Sequence, residues 1–320
     1  MVADSPVLAL SGGVGGAKLC LGLSDLLADG ELKVVVNTAD DFEHLGLLVC
    51  PDIDTLLYTL SRRNNRELGW GLAGETWQAM DALAALGGET WFRLGDRDLA
   101  THLWRRDAIS RGLDLLQLTT ELAAAMGIES EILPMSAQPV RTQVHSPEGD
   151  LPFQHYFVKH QCQPAVTGFS FVGLEAAVPN PRLMQLLQHG APRAIVICPS
   201  NPFVSIDPIL QLPGLWPALR DCSAPVIAVS PIVAGMAIKG PAAKMMAELG
   251  MPVTAEAVAA HYRVSYPGLI DCFVIDESDA TLAPRIEEQG MATAVAATVM
   301  HNDDDKRALA AVVLRLAAGS

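Results

Sequence analysis

The sequence predicts an α/β fold with a doubly wound, mostly parallel, Rossmann-like sheet and a small β-rich insertion. Short apolar stretches of strand length alternate with stretches of helical periodicity, which is typical of parallel sheets covered by helices. The predicted strands lie at residues 7–10, 33–36, 193–198, 226–230 and 271–275. The predicted helices include residues 75–86, 242–249 and 306–318.

The middle of the chain has a different pattern. Residues 142–145, 154–158 and 169–172 alternate polar and apolar side chains, with proline and glycine turns between them. We therefore predict a β-rich insertion at residues 132–178. Residues 1–131 and 179–320 would form the α/β core that carries the binding site.

The first predicted strand runs directly into a glycine-rich loop, residues 11–18, and leucines at helical spacing follow. Gly12, Gly13, Gly15 and Gly16 let the backbone approach phosphate oxygens, free amides of the first helical turn point at them, and Lys18 adds positive charge. The loop is neither a dinucleotide fingerprint, which needs a third glycine where Lys18 stands, nor a Walker loop. A turn that only packs the strand on the helix would look similar.

Four aspartates, Asp40, Asp41, Asp52 and Asp54, follow the second predicted strand. The carboxyl ends of parallel strands are where ligands bind in such folds. Carboxylates gathered there repel one another, and repel phosphate, unless a cation lies between them. The sequence thus favours a divalent-metal site that serves a phosphorylated substrate.

The segment Asp96-Arg97-Asp98 precedes a helical stretch that contains His102. One aspartate could cap the helix, with Arg97 in a surface ion pair. In the functional interpretation Arg97 contacts phosphate, while an aspartate or His102 contacts metal or a substrate hydroxyl. These residues alone do not decide between the two.

Further polar and aromatic candidates occur in later and neighbouring segments. Ser200 and Asn201 lie between prolines, which suits contacts to a base or a ribose, although a helix cap would look similar. Lys239 is one of few lysines in the chain, and we expect it to contact phosphate. Trp70 and Trp77 could stack on a flat heterocycle or simply fill the core.

Composition narrows the class of function. The 320-residue chain has 22 basic and 36 acidic residues and a net charge of −14, with no evident basic face for nucleic acid. No uninterrupted apolar run approaches the ~20 residues of a membrane span. The six cysteines form no C-x-x-C pair and resemble buried thiols, which suits a reducing compartment. We expect a cytoplasmic protein, bound to neither membrane nor nucleic acid, whose partner is a small molecule.

Together these segments resemble the 2-phospho-L-lactate transferase family, which acts in assembly of the deazaflavin coenzyme F-420. The similar segments occur in order and span most of the chain. They are residues 11–19 (SGGVGGAKL), 37–60, 65–71 (NRELGWG), 94–102 (LGDRDLATH), 133–136 (LPMS), 153–158 (FQHYFV), 199–210 (PSNPFVSIDPIL) and 230–244 (SPIVAGMAIKGPAAK).

The resemblance implies a reaction. Enzymes of this family transfer a phospho-hydroxy-acid group from its guanosine diphosphate diester to the ribityl hydroxyl of 7,8-didemethyl-8-hydroxy-5-deazariboflavin (Fo), and they release GMP. They require Mg²⁺ and are usually homodimers. An acidic residue commonly follows the LPMS segment, whereas Ala137 stands here. We expect this position to line the acceptor or acid pocket, so phospholactate, phosphoenolpyruvate and phosphoglycerate all stay open as the transferred acid.

The resemblance also implies roles for particular residues. Asp40 and Asp54 would bind the metal or the hydroxyls of Fo, and one aspartate would accept the alcohol proton. Asp96 and Arg97 complete the catalytic set. The remaining candidates would bind the substrates, with the loop on the diphosphate and the 200–201 pair on the guanosine side: Gly12, Gly13, Gly15, Gly16, Lys18, Thr55, Arg93, Ser200, Asn201 and Lys239.

Two other functions share some of these features. A related group of nucleotide-sugar-binding regulators has the same glycine loop and sheet, but an arginine-containing element in place of residues 51–55. A nicotinamide-dependent oxidoreductase would need the third glycine that Lys18 replaces, and it would leave the aspartates unexplained. GDP-selective binding would exclude the regulator, and failure to bind NAD would exclude the oxidoreductase.

Overall fold

Fourteen strands form within residues 5–190 and 192–319, the part of the chain that a computed structural model describes. They are β1 Val7–Ser11, β2 Leu32–Val36, β3 Phe42–His44, β4 Leu47–Val49, β5 Glu131–Pro134, β6 Arg141–His145, β7 Leu151–Pro152, β8 Gly168–Val172, β9 Ala194–Ile197, β10 Val226–Val229, β11 Ile232–Val233, β12 Met236–Ala237, β13 Cys272–Asp276 and β14 Ala292–Ala296.

Seven of these strands form one parallel sheet in the order β14-β13-β10-β9-β1-β2-β5. The direction of winding reverses at β1, because β2 and β5 lie on one side of it and β9 and the later strands lie on the other. This is the doubly wound arrangement, in which ligands bind at the reversal point beyond the carboxyl ends of the strands. The predicted fold class is confirmed.

Helices cover both faces of this sheet. Within the described residues the α-helices are α1 Gly13–Leu26, α2 Pro51–Leu60, α3 Gln78–Ala85, α4 Asp96–Ser110, α5 Leu115–Ala125, α6 Pro181–Gln185, α7 Asp207–Leu210, α8 Leu215–Arg220, α9 Ala242–Glu248, α10 Ala255–Ser265, α11 Ala283–Glu288 and α12 Asp303–Ala318. Shorter 3₁₀ or π-helical segments are His155–Lys159, Leu174–Ala176, Leu186–Gly190, Pro202–Ile206 and Glu277–Leu282. No described helix has both the length and the apolar character that crossing a membrane requires.

The sheet is buried on both faces, which explains why its central strands are continuous apolar runs. Successive side chains of β1 point to opposite faces. Leu8 and Leu10 pack into one hydrophobic core, with residues of α8, α9 and α10. Val7 and Ala9 pack into the other, with residues of α1, α2, α5 and α12.

All five predicted strands are confirmed, but two strands of the main sheet were missed. β5 is only four residues long and lies at the sheet edge beside β2. β14 consists of Ala-Thr-Ala-Val-Ala, which is too weakly apolar to stand out. The predicted helices at 242–249 and 306–318 form as α9 and α12, whereas the helix predicted at 75–86 begins only at Gln78.

The predicted insertion contains a separate three-stranded antiparallel sheet, in the order β7-β6-β8. The predicted start at residue 132 falls inside β5, which pairs with the main sheet, so the small sheet begins at Arg141. The strand predicted at 154–158 is wrong, because His155–Lys159 is π-helical. Phe153 and Tyr156 are both buried, and a spacing of three residues places both on one face of a helical turn.

Candidate functional site

A cleft of about 630 Å³ lies at the carboxyl ends of the sheet strands, around the reversal point between β1 and β9. It brings together most of the predicted site residues. Eleven of them line it: Gly12, Gly13, Gly15, Lys18, Asp40, Asp54, Thr55, Arg93, Ser200, Asn201 and Lys239. Gly16, Asp96 and Arg97 are not among the residues that line it.

The glycine loop begins α1 and faces the cleft. Gly13 has a φ of +63°, a conformation that favours glycine, and its amide donates to Asp52 Oδ1 at 2.7 Å. A Cβ at Gly15 would lie 2.3 Å from the carbonyl oxygen of Pro199, so this position also requires glycine. The amides of Val14 and Gly15 have no hydrogen-bond partner among the described residues. Free amides at a helix N-terminus form an anion site.

Ser200 and Asn201, which are predicted to contact guanosine, both make hydrogen bonds that hold the surrounding backbone in place. Ser200 accepts from the amide of Gly12 at 3.0 Å and donates to the carbonyl of Gly12 at 2.7 Å, so it holds the glycine loop. Asn201 caps the Pro202–Ile206 helical segment by accepting from the amide of Phe203 at 3.0 Å. Both side chains still line the cleft.

Two lysines lie near the glycine loop. Lys18 donates to the carbonyl of Met300 at 2.8 Å, and burial, followed by the charges of Lys306 and Lys239, lowers its pKa. Lys239 follows β12, and its Nζ would lie 3.8 Å from a Cβ at Gly69. Lys239 lines the cleft beside the loop that carries Trp70.

Two buried carboxylates, Asp40 and Asp52, line the cleft close enough for their charges to interact. Burial raises the pKa of Asp40 well above its usual range, and the charges of Asp52 and Asp41 raise it further. Burial also raises the pKa of Asp52 to about 6, although hydrogen bonds from Asn37 and Gly13 oppose the shift. Such shifts are expected of buried carboxylates that no cation neutralises.

Asp54 has a different environment, because it pairs with a completely buried arginine, Arg105. Nη1 of Arg105 lies 3.3 Å from Asp54 Oδ2, Nη2 contacts Oδ1, and Nη1 also donates to the carbonyl of Leu48 at 3.0 Å. Burial would lower the pKa of Arg105, but the charges of Asp54 and Cys50 and the hydrogen bonds to Asp54 together raise it. Both oxygens of Asp54 are therefore occupied by the guanidinium.

A second polar group at the cleft consists of Tyr58, Asp98 and His102. Tyr58 donates to Asp98 Oδ1 at 2.6 Å, and His102 Nε2 lies 3.4 Å from the same oxygen. Burial would raise the pKa of Asp98, but His102 and the Tyr58 hydroxyl, helped by the charge of Arg105, hold it below its usual value. Asp98 therefore stays ionised.

Asp96 and Arg97, two predicted catalytic residues, make structural contacts outside the cleft. Asp96 accepts from the amides of Gln78 and Ala79 at the start of α3, at 3.1 and 3.0 Å. Arg97 donates to the carbonyl of Ala73 at 2.8 Å. The prediction that an aspartate caps α4 is wrong, because the N-cap of α4 is Gly95, without a side-chain hydrogen bond. Asp96 instead caps α3, while Asp98, two positions later, faces the cleft.

The far end of the cleft is aromatic. Trp91, Phe92, Phe153 and Phe157 all line it, and the rings of Trp91 and Phe92 meet edge to face at 5.8 Å. Trp70 also lines the cleft and is 49% exposed. Trp77 instead lies below Arg93, whose guanidinium is 4.5 Å from the ring centre.

Sequence reasoning missed several residues of this site. Tyr58 and Arg105 lie at internal helix positions that look like packing and surface positions in the sequence. Their roles depend on the docking of α4 against α2 and β4, which no local pattern shows. Ala137 is exposed and does not line the cleft, so the expectation that it shapes a substrate pocket gains no support.

Comparison with known proteins identifies the family of the chain. The family model described as 2-phospho-L-lactate transferase CofD matches residues 7–315. A phosphoenolpyruvate transferase of Streptomyces griseus is 38% identical over 316 residues, covering 97% of this chain and 98% of that protein. A 2-phospho-L-lactate transferase of Methanosarcina barkeri is 36% identical over 310 residues, again covering 97% and 98%. Neither is described as a nucleotide-sugar-binding regulator.

A solved structure shares the fold. The crystal structure of a UPF0052-family protein from Bacillus halodurans matches with a TM-score of 0.65 and 14% sequence identity, and the match covers 97% of this chain and 99% of that one. At this identity the likeness concerns the fold alone.

Proposed function

Because the chain belongs to the 2-phospho-L-lactate transferase CofD family, we propose that it transfers a phospho-hydroxy-acid group from its guanosine diphosphate diester to the ribityl hydroxyl of Fo. The reaction belongs to coenzyme F-420 biosynthesis and releases GMP. The observation that carries this proposal is the cleft itself, where free helix amides, buried carboxylates and an aromatic surface meet. A diphosphate, its metal and a flat heterocycle need these three surfaces in one place.

The glycine loop is the site proposed for the diphosphate of the donor. The amides of Val14 and Gly15 have no hydrogen-bond partner within residues 5–190 and 192–319, and they lie at the positive end of α1. Lys18 and Lys239 also line this part of the cleft and would offset the charge of the departing GMP. Asn201 lines the same region and would face the guanosine.

Asp40 and Asp52 are the carboxylates proposed to hold Mg²⁺. Mg²⁺ prefers oxygen ligands and is commonly held by one or two carboxylates together with substrate phosphates and water. This suits a chain whose described residues gather no cluster of three or more potential metal ligands. Asp52 is preferred to Asp54 because the charge of Asp54 is already paired with the cation Arg105, whereas the partners of Asp52, Gly13 and Asn37, are neutral. A bound Mg²⁺ would neutralise charge on the non-bridging phosphate oxygens.

The aromatic end of the cleft is the site proposed for the deazaflavin ring. Trp91, Phe92, Phe153 and Phe157 offer flat apolar surfaces for a heterocycle. Arg93 and Thr55 line the same cleft and would contact polar atoms of the acceptor. The ribityl chain would then extend from the aromatic end toward the diphosphate.

Product analysis by mass spectrometry tests the proposal. Purified protein, Mg²⁺ and Fo would be incubated separately with guanylated phospholactate, phosphoenolpyruvate and phosphoglycerate. We expect GMP and an Fo phosphodiester from at least one donor. The two relatives reported above are named as a phosphoenolpyruvate transferase and a 2-phospho-L-lactate transferase. Ala137 lies outside the cleft, so it gives no reason to prefer one of these acids. Unchanged Fo with all three donors would contradict the proposal.

Three further expectations accompany this function. In calorimetric titration GDP should bind in preference to UDP-sugars, whereas a nucleotide-sugar-binding regulator would show the opposite preference. The protein and its small-molecule substrates should both be located in the cytoplasm. It should also be a homodimer, which sedimentation of the purified chain would test.

A further inference from the structure

The attacking hydroxyl needs a partner that the donor site does not provide. As the new bond to phosphorus forms, the alcohol must lose its proton, and a suitable acceptor must be ionised and have an oxygen free. Four carboxylates line the cleft, Asp40, Asp52, Asp54 and Asp98, and they differ in both respects.

Three of the four are poorly placed to accept a proton. Asp52 accepts from the amide of Gly13 at 2.7 Å with one oxygen and from Asn37 at 2.9 Å with the other. Asp54 has both oxygens on Arg105. Asp40 is buried against other carboxylates, so it is either protonated or neutralised by a cation.

Asp98 differs from the other three. Its Oδ1 accepts the hydrogen bond from Tyr58, whereas its Oδ2 has no hydrogen-bond partner among the described residues. Its side chain is 16% exposed, and it lines the cleft. An ionised carboxylate with one oxygen held and one free is suited to receive a proton.

His102 completes the arrangement with a donor. Arg105 Nη1 lies 3.0 Å from His102 Nδ1, and a guanidinium can only donate, so Nδ1 must accept. The hydrogen of the ring is therefore on Nε2. This buried N–H lies 3.4 Å from Asp98 Oδ1, near enough to lower the pKa of that carboxyl without forming a hydrogen bond, and it has no hydrogen-bond partner in residues 5–190 and 192–319. An unsatisfied buried donor at a binding site points to a ligand atom that satisfies it.

We propose that Asp98 binds the attacking hydroxyl of the acceptor and takes up its proton, while Arg105 acts through His102 to position that hydroxyl. The inference rests on the proposed function. His102 Nε2–H donates to the hydroxyl oxygen, and the hydroxyl donates to Asp98. The remaining lone pair of the oxygen attacks phosphorus, and the bond from phosphorus to the GMP oxygen breaks. The proton passes to Asp98 and then to water, so no further reactant is required.

Asp98→Asn tests the catalytic role, because asparagine has the same size and can still accept from Tyr58. We expect turnover to fall by about 10²- to 10⁴-fold. The dissociation constant of Fo, measured by its fluorescence, should change by less than about threefold, since the loss concerns the transition state. Asp107→Asn is the matched control and should leave turnover unchanged, because Asp107 is exposed on the same helix and its carboxylate pairs, among the described residues, only with Arg111.

His102→Phe tests the positioning role, because phenylalanine keeps a ring but has no N–H to donate. It should lower turnover by roughly tenfold or more while Fo binding changes little, a separation that a merely structural residue would not give. Thermal melting would establish that each variant is folded, and Asp98→Ser would replace Asp98→Asn if the latter is not.

Two results would overturn this inference alone. In the first, the wild type transfers the acid and the turnover of the Asp98 variant stays within about threefold of it. The other is a loss of turnover fully explained by weaker Fo binding. A wild type that transfers no acid to Fo would overturn both this inference and the proposed function.

Discussion

Replacing the buried Arg105 tests how the cleft is held together. Its guanidinium binds both oxygens of Asp54, the carbonyl of Leu48 and His102 Nδ1. Arg105→Met keeps much of the volume but leaves the carboxylate of Asp54 buried without its partner. Removing one partner of a buried ion pair costs about 3–5 kcal/mol. At about 2–4 °C per kcal/mol, the melting temperature should fall by roughly 6–20 °C.

The assay is urea unfolding, compared with a matched surface variant. Arg111 pairs with Asp107 on the same helix, but this pair is exposed, so Arg111→Met should cost only about 0–1 kcal/mol. Adding Asp54→Asn to Arg105→Met should recover part of the lost free energy of unfolding, because the buried charge is then removed. An Arg105→Met protein as stable as the Arg111→Met control would refute the reasoning.

Three other predictions follow from the site. Burial raises the pKa of Asp41 to about 8. Between about pH 4 and pH 8 the folded state therefore keeps a proton that the unfolded state has lost, so the free energy of unfolding falls as the pH rises through this range. Asp41→Asn stays neutral, so in urea unfolding its advantage over the wild type should grow by up to about 1.4 kcal/mol per pH unit; parallel pH profiles would contradict this. Gly15→Ala should destabilise by roughly 1–3 kcal/mol and weaken GDP binding, because the added Cβ meets the Pro199 carbonyl. Gly168→Ala, whose Cβ would lie no closer than 3.5 Å to its neighbours, should do neither in the same unfolding and titration experiments. Asp40→Asn should abolish the dependence of GDP affinity on Mg²⁺ in calorimetry, and an unchanged dependence would remove Asp40 from the metal site.

The sequence predicted the elements whose cause is local. β1, the glycine loop and α1 follow one another directly, and an apolar strand buried on both faces is visible as a continuous run. The same reasoning placed Asp40 and Ser200 near the loop, because carboxyl ends of parallel strands share one edge.

What the sequence did not show depends on packing between distant segments. Arg105 is one of several charged residues on α4, and only contacts with α2 and β4 make it a buried partner of Asp54. Asp96 and Asp98 have nearly identical neighbours in sequence. Yet a shift of two positions along a helix turns a side chain by about 200°, so one caps α3 and the other faces the cleft.

A crystal structure with GDP and Mn²⁺, which replaces Mg²⁺ and scatters anomalously, tests the central claim most directly. The claim is that helix amides and buried carboxylates act on one metal-bound diphosphate. We predict diphosphate oxygens within hydrogen-bond distance of the Val14 and Gly15 amides, and an anomalous peak between the nucleotide and the carboxylates of Asp40 and Asp52. A nucleotide bound elsewhere, or a metal that contacts neither aspartate, would contradict the account.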